Sequence, residues 1–109
     1  MTVREMAERL ALTPLSLVDG EREVSGVYIG DLLSWVMGRA SSGDVWITIM
    51  SNINIVAVAS LADVACIVLA EGVTLEESVR TTAEQKGVNI FTTEKTAYEV
   101  AAALATAQK

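Results

Sequence analysis

The stretch from Val45 to Gly72, VWITIMSNINIVAVASLADVACIVLAEG, decides the fold. It contains two short apolar runs, Val45–Met50 and Ala65–Leu69, which are rich in β-branched residues and scarcely alternate with polar ones. Such runs are typical of strands that are buried on both faces of a sheet. The segment between them opens with Ser51 and Asn52, which are favourable N-cap residues for a helix. We therefore predict a strand, a helix and a second parallel strand, joined by a right-handed crossover.

The middle segment also admits a second interpretation. Residues 52–58 alternate enough to form a strand in a hairpin with Val45–Met50. A helix is favoured because the apolar residues continue through Ala59, Leu61 and Ala62, which is too far for one strand. A parallel pair of strands also needs a crossover of about this length.

Before this unit, the sequence predicts a helix, two extended segments and a second helix. The first helix is Thr2–Ala11, in which Thr2 and Glu5 have the spacing of a capping box. The extended segments are Leu15–Val18 and Gly26–Ile29, and Glu21–Ser25 between them is compatible with an edge strand or a loop. The second helix follows Gly30-Asp31, and its inward-facing residues are predicted to be Leu32, Leu33, Trp35 and Val36.

After this unit, two helices flank a last strand, Val88–Phe91. Thr74 and Glu77 repeat the capping-box spacing ahead of a helix that ends at Lys86-Gly87. Its buried stripe is predicted to be Leu75, Val79 and Ala83, with Glu76–Arg80 and Arg80–Glu84 as ion pairs on the wet face. The final helix is predicted to be capped by Thr92 or Thr93 and to bury Ala97, Val100, Ala101, Leu104 and Ala105.

This alternation of strand and helix predicts an α/β fold. We expect a mostly parallel sheet of four to five strands with helices on both faces. A chain of 109 residues is large enough for one core and too small for two, so residues 1–109 are predicted to form a single domain.

The composition argues against several classes of function. The net charge of −6, with eight scattered basic residues, disfavours nucleic acid binding. The sequence has no histidine and one cysteine, so we predict no metal site, no cofactor and no catalytic residues. Cys66 lies in a predicted buried strand and is expected to be a packed, reduced thiol. No apolar run is long enough to cross a membrane, and the charged start lacks a signal core, which predicts a cytoplasmic protein.

Candidate binding residues follow the predicted strands, where α/β folds bind ligands against helix N-termini. Hydroxyl and amide groups there suit a phosphate or carboxylate, although simple helix capping is the favoured explanation of Asn52, Thr74 and Thr93. The candidate ligand-binding residues are Ser51, Asn52, Glu71, Gly72, Thr74, Thr92 and Thr93.

From about residue 25 to residue 104, the chain resembles the DRTGG domain family. The matching frame consists of SGVYIGDLL, GDVWITIMSNINIVAVA, ACIVLAEG and TLEESVRTTAEQKGVNIFTT, followed by the last helix. Where the family has its Asp and Arg, this chain has Ser51 and Asn52. Where the family has Thr-Gly-Gly, it has Ala70, Glu71 and Gly72.

The resemblance implies a fold similar to that of the N-terminal domain of HPr kinase/phosphorylase. Members of the family occur joined to phosphate acetyltransferases and to CBS-domain pairs that bind adenine nucleotides. They also occur as single domains in anaerobic bacteria, sometimes encoded near iron-only hydrogenase and serine-kinase-like proteins. The resemblance therefore implies a stand-alone regulatory or dimerising module.

From these observations we expect a non-catalytic regulatory, ligand-binding or dimerisation module of an anaerobe-type metabolic or redox system. Its expected partners are a second copy of the chain and either a small phosphorylated or nucleotide ligand or a partner protein. One alternative is a pure assembly module without a ligand. A more distant alternative is a phosphoryl-transfer or phosphate-ester enzyme.

The homodimer is expected because the helix after Asn52 is apolar on two sides. Ile53, Val56 and Ala57 lie on one side, and Ile55, Val58 and Ala59 lie on the other. Since a helix on a sheet should have one polar face, the side that does not pack on the sheet should be covered by a two-fold mate.

Overall fold

The computed structural model describes residues 1–108, which form five helices and five strands. From β3 onward strand and helix alternate, which confirms the predicted α/β fold. In chain order the elements are α1 (Val3–Arg9), β1 (Thr13–Ser16), β2 (Gly26–Ile29), α2 (Leu33–Arg39), β3 (Asp44–Thr48), α3 (Asn54–Ala62), β4 (Cys66–Leu69), α4 (Glu77–Lys86), β5 (Ile90–Thr92) and α5 (Ala97–Ala107).

The strands form one sheet in the order β1-β5-β4-β3-β2. Strands β2 to β5 pair in parallel, and β1 pairs antiparallel with β5 at one edge. The first strand was predicted at Leu15–Val18 and instead begins at Thr13, so it includes Pro14. Proline lacks a backbone N–H, and an edge strand tolerates it because one side of the strand makes no ladder bonds.

The central strand β3 separates two apolar cores. Every residue of β3 is buried, and its side chains alternate between the two faces of the sheet. Val45 and Ile47 pack with residues of α1 and α5, whereas Trp46 packs with residues of α2, α3 and α4. The indole N–H of Trp46 donates a hydrogen bond to the carbonyl of Gly30 at 2.9 Å. The prediction of helices on both faces is therefore confirmed.

The segment between β3 and β4 is a helix, α3, and not a hairpin strand. Both Val56 and Val58 are buried, and they belong to the same core because α2 and α4 flank α3 in the same protomer. The side that carries Ile55, Val58 and Ala59 is therefore the one that packs on the sheet, whereas Ile53, Ala57 and Ser60 of the other side are exposed. A two-fold mate on that exposed side stays a prediction. What remains exposed on α3 and at its start includes Ile53 and Leu61.

Helix α2 presents a different face from the one predicted. Val36 is buried and Leu33 packs partly against the core, but Leu32 and Trp35 are 56% and 51% exposed. Residues 33 and 36 share one face at helical spacing, and residues 32 and 35 share the next one. The guanidinium of Arg39 stacks on the exposed Trp35 ring, 3.7 Å from its centroid.

The predicted N-terminal caps of α4 and α5 differ from the structure. The box of Thr2 and Glu5 is confirmed, with both reciprocal hydrogen bonds present. Helix α4 begins only after Glu76 and has no side-chain cap, because Val73 and Leu75 pack against the core ahead of the helix. Thr92 and Thr93 do not cap α5.

Thr96 provides the cap of α5, in a second complete box with Glu99. The hydroxyl of Thr96 accepts the backbone N–H of Glu99 at 3.2 Å, and the Glu99 carboxylate accepts the N–H of Thr96 at 3.0 Å. This backbone hydrogen bond from Thr96 holds the pKa of Glu99 below its usual value, because it stabilises the charged carboxylate.

Arg80 ties α4 to the edge of the sheet. Its Nε donates to the carbonyl of Leu15 at 2.6 Å, and among the described residues it forms no ion pair with Glu76 or Glu84. The predicted pairs on the wet face are therefore wrong. Among residues 1–108, no helix is both long and apolar enough to cross a membrane.

We predict that Thr96→Ala lowers the free energy of unfolding by about 1 kcal/mol, because α5 loses its capping hydroxyl. For a domain of this size the melting temperature should fall by about 4 °C. The matched control is Thr74→Ala, which removes a threonine that caps no helix and should shift melting by much less. Equal losses for both variants, measured by thermal denaturation, would contradict this assignment of the caps.

Candidate functional site

The carboxyl ends of β3, β4 and β5 lie along one rim of the sheet, because the three strands run in parallel. Each is followed by a loop that leads into a helix. These loops and the last residue of β5, Thr92, comprise all seven residues predicted to bind a ligand, but the structure divides them into two groups.

The first group surrounds a cleft between the start of α3 and the start of α4. Ser51, Asn52 and Thr74 come together here, as predicted. The cleft has a volume of about 580 Å³ and is lined by Ser51, Asn52, Ile53, Thr74, Leu75, Glu76, Ser78 and Val79. We call it the α3–α4 cleft.

The second group, Glu71, Gly72, Thr92 and Thr93, does not line this cleft. The backbone N–H of Glu71 donates to the carbonyl of Lys95, and that of Gly72 donates to the carbonyl of Thr93, both at 2.8 Å. The hydroxyl of Thr92 donates to the carbonyl of Val73. These donors therefore join the loop after β4 to the loop after β5, and they are not free to hold an anion.

The polar side chains of the α3–α4 cleft are largely free to bind a ligand. Within residues 1–108 the hydroxyls of Ser51, Thr74 and Ser78 make no hydrogen bond. Asn52 accepts the backbone N–H of Asn54 through Oδ1 at 2.9 Å, which leaves its amide nitrogen as a donor. Ser78 was missed from the sequence, because the wrongly predicted cap at Thr74 placed it a full turn into α4, whereas it is the second residue of the helix and lies beside the cleft.

The charge around the cleft is negative. Glu76 is the charged residue that lines it, and no lysine or arginine of the described chain does so. The first N–H groups of α4 partly offset this charge, since the cap residue Glu76 makes no side-chain hydrogen bond to them. The cleft therefore suits hydroxyl and amide groups and at most one negatively charged group.

Reactive groups outside the cleft are engaged or buried. The carboxylate of Asp31 accepts the Thr48 hydroxyl at 2.7 Å and the backbone N–H of Ile49 at 3.0 Å, which fixes the loop after β2 to the end of β3. Burial raises the pKa of the Cys66 thiol to about 12, so it is not a nucleophile at neutral pH. Among the described residues, His, Cys, Asp and Glu form no group of three or more that could hold a metal ion.

Comparison with known proteins supports the resemblance seen in the sequence. The family model described as DRTGG domain matches residues 16–107. No curated protein sequence matches the chain. A solved structure, described as the CBS and DRTGG domains of the regulatory region of Clostridium perfringens pyrophosphatase complexed with the activator diadenosine tetraphosphate, matches with a TM-score of 0.72 at 14% identity. The match covers 94% of this chain and 45% of that one, so the likeness establishes the fold alone.

The loop after β4 explains why glycine suits the middle position of the family's Thr-Gly-Gly. Glu71 occupies that position with φ = 58°, in the left-handed region of backbone conformation that residues with a Cβ rarely adopt. Gly72 follows with φ = 75°, so two successive residues have left-handed backbone. A glycine at position 71 would adopt this conformation without the steric penalty.

We predict that Glu71→Gly raises the free energy of unfolding by about 1 kcal/mol, since it removes the Cβ from a left-handed residue. Glu71→Ala is the matched control, because it removes the same carboxylate but keeps the Cβ, and it should give no such gain. Urea denaturation of the three proteins measures the difference. If both variants were stabilised equally, charge and not backbone strain would be the cause.

Proposed function

The chain belongs to the DRTGG domain family, and from this premise we propose that it is a non-catalytic regulatory module that binds a nucleotide-like or phosphorylated ligand in the α3–α4 cleft. We further propose that it works as a homodimer in the cytoplasm, in a metabolic or redox system of the anaerobic type. The pyrophosphatase region that shares its fold is described as bound to an activator, diadenosine tetraphosphate.

The observation that carries this proposal is the set of free polar groups in the cleft. Ser51, Thr74 and Ser78 present hydroxyls that make no hydrogen bond to any of residues 1–108, next to the Asn52 amide. The apolar side chains of Ile53 and Leu75 lie in the same lining. An apolar wall with a few convergent polar groups is the usual construction of a small-molecule site.

The charges of the cleft restrict the ligand class. With Glu76 in the lining and no cation there, a run of phosphates would be repelled. One phosphate at the start of α4 is acceptable, because the free N–H groups of Glu77 and Ser78 favour an anion. The base and sugar of a nucleotide would then supply most of the affinity, through stacking on apolar side chains and hydrogen bonds to hydroxyls.

A regulatory role is favoured over catalysis because the usual reactive groups are missing or engaged. The sequence has no histidine to act as a general base at neutral pH. Cys66 is buried, and the carboxylate of Asp31 is held by Thr48 and Ile49. Neither group lines the α3–α4 cleft.

A second candidate function is protein assembly without a small ligand. It is favoured by an apolar groove of about 340 Å³ along α3 and α4, whose lining includes Ile53, Ala57 and Leu61. Ile53 and Leu61 are 45% and 72% exposed and line the same groove, so they form a patch and not a single exposed side chain. If assembly through this groove is the function, the α3–α4 cleft binds no ligand.

The two candidates are separated by a thermal-shift screen with adenosine, AMP, ATP, diadenosine tetraphosphate and acetyl phosphate. A ligand at about one hundred times its Kd stabilises the protein by about 2.7 kcal/mol, which raises the melting temperature by several degrees. We expect compounds with a nucleoside and few charges to give the largest shift. A flat response to every compound would favour the assembly module.

The position of the site is tested by substitutions just before and at the start of α4. Thr74→Val and Ser78→Ala each remove a free hydroxyl from the cleft and should weaken the ligand-induced shift, while the protein without ligand melts nearly as before. Thr81→Val is the matched control, since Thr81 is exposed and lies outside the cleft lining. If Thr81→Val weakened the shift as much as the other two, the ligand would bind elsewhere.

A further inference from the structure

The two edges of the sheet differ in how well they are protected. At one edge, β1 contains Pro14, and its register with β5 is irregular between Pro14 and Ser16. The side chain of Arg80 also donates a hydrogen bond to the carbonyl of Leu15 in this strand. Proline, bulges and covering side chains are the devices by which proteins prevent edge strands from pairing with other chains. The opposite edge, β2, carries none of them.

Strand β2 has free hydrogen-bonding groups along its outer side. It pairs only with β3, and the N–H of Gly30 just beyond it donates to the carbonyl of Ile47. Backbone groups of successive residues in a strand point to opposite sides, so those of Val27 and Ile29 point away from β3. Within the described chain no other strand lies beyond them.

The side chains at this edge are apolar and exposed. Val27 and Ile29 pair in register with Val45 and Ile47, so all four lie on the same face of the sheet as the core beneath α1 and α5. Val45 and Ile47 are fully buried, whereas Val27 and Ile29 are 37% and 50% exposed. The apolar face of the sheet therefore extends beyond the part that is buried under α1 and α5.

We infer that β2 pairs antiparallel with β2 of a second copy of this chain, which joins two five-stranded sheets into one. This inference rests on the homodimer proposed above and names its interface. The two-fold axis passes beside Tyr28, and Val27 of one protomer lies opposite Ile29 of the other. This is the register in which the outward backbone groups of both residues meet as hydrogen-bonded pairs.

A second copy suits this edge better than an unrelated strand because the stretch is self-complementary. Residues 24–30 carry no charge, although the chain as a whole has a net charge of −6. In the register given, Asp31 lies opposite Ser25 and Glu23 lies opposite Leu33, so no like charges face each other. Pairing of β2 with the β1 edge would build an open chain of molecules, and Pro14 and the irregular register oppose it.

Four residues of strand are too short to bury the roughly 1,000 Å² that a specific interface needs. Exposed apolar side chains beside the edge would supply the remaining area. Leu32 and Trp35 follow β2 at the start of α2, and Ile49 follows β3, all of them between 46% and 56% exposed.

The test is sedimentation of the wild-type protein and of matched lysine variants. Ile29→Lys places a charge on the apolar edge and should raise the dimer dissociation constant about 100-fold, whereas Leu61→Lys, in the α3 groove, should leave it unchanged. Val27→Pro removes an outward N–H without removing a bond to β3, and it should also give a folded monomer by circular dichroism.

Each outcome decides between the proposals. Loss of the dimer in Leu61→Lys and its persistence in Ile29→Lys and Val27→Pro would overturn the β2 interface but keep the homodimer. A wild-type protein that is monomeric at high micromolar concentration would overturn both. The ligand screen remains independent, because the α3–α4 cleft is lined by residues of one protomer and can be measured on the Ile29→Lys monomer.

Discussion

The burial of β3 and β4 on both faces is the constraint on which the rest of the structure depends. Every residue of these two strands is buried, so apolar cover is needed above and below the sheet. A parallel pair cannot be joined by a tight turn, and α3 provides both the crossover and part of that cover. With α3 on one face, α1 and α5 must cover the other, and their apolar stripes form the second core.

Patterns that reflect burial were readable from the sequence. The runs at Val45 and Ala65 have no polar alternation, because both faces of each strand are apolar, and this alone predicted the parallel unit. Helix starts were less readable, since Thr-x-x-Glu at residues 74–77 has the same spacing as the true boxes at Thr2 and Thr96. Packing of Val73 and Leu75 delays α4 past that motif. A local motif cannot report such a tertiary contact.

The sequence predicted where the candidate site lies, but not that its residues fall into two separate groups. That Ser51, Asn52 and Thr74 share a rim follows from parallel strands. That the N–H groups of Glu71 and Gly72 bond the loop after β5 depends on where that loop turns, which no spacing reveals. The covering of α3 was missed for a related reason. Val56 lies on the more exposed side of α3 and is buried because α2 and α4 flank this helix within the same protomer, and helix periodicity does not identify such neighbours.

The β2 edge and the α3–α4 cleft are connected through β3. Strand β2 pairs with β3 along its length, and the Asp31 carboxylate fixes the segment after β2 to Thr48 and Ile49 at the end of β3. Ser51 and Asn52, which line the cleft, come directly after that end. A shift of β2 on pairing would therefore be transmitted to the cleft through two hydrogen bonds and a few residues of chain. If a ligand changed the dimer affinity by this route, the dimer would change the ligand affinity by the same factor.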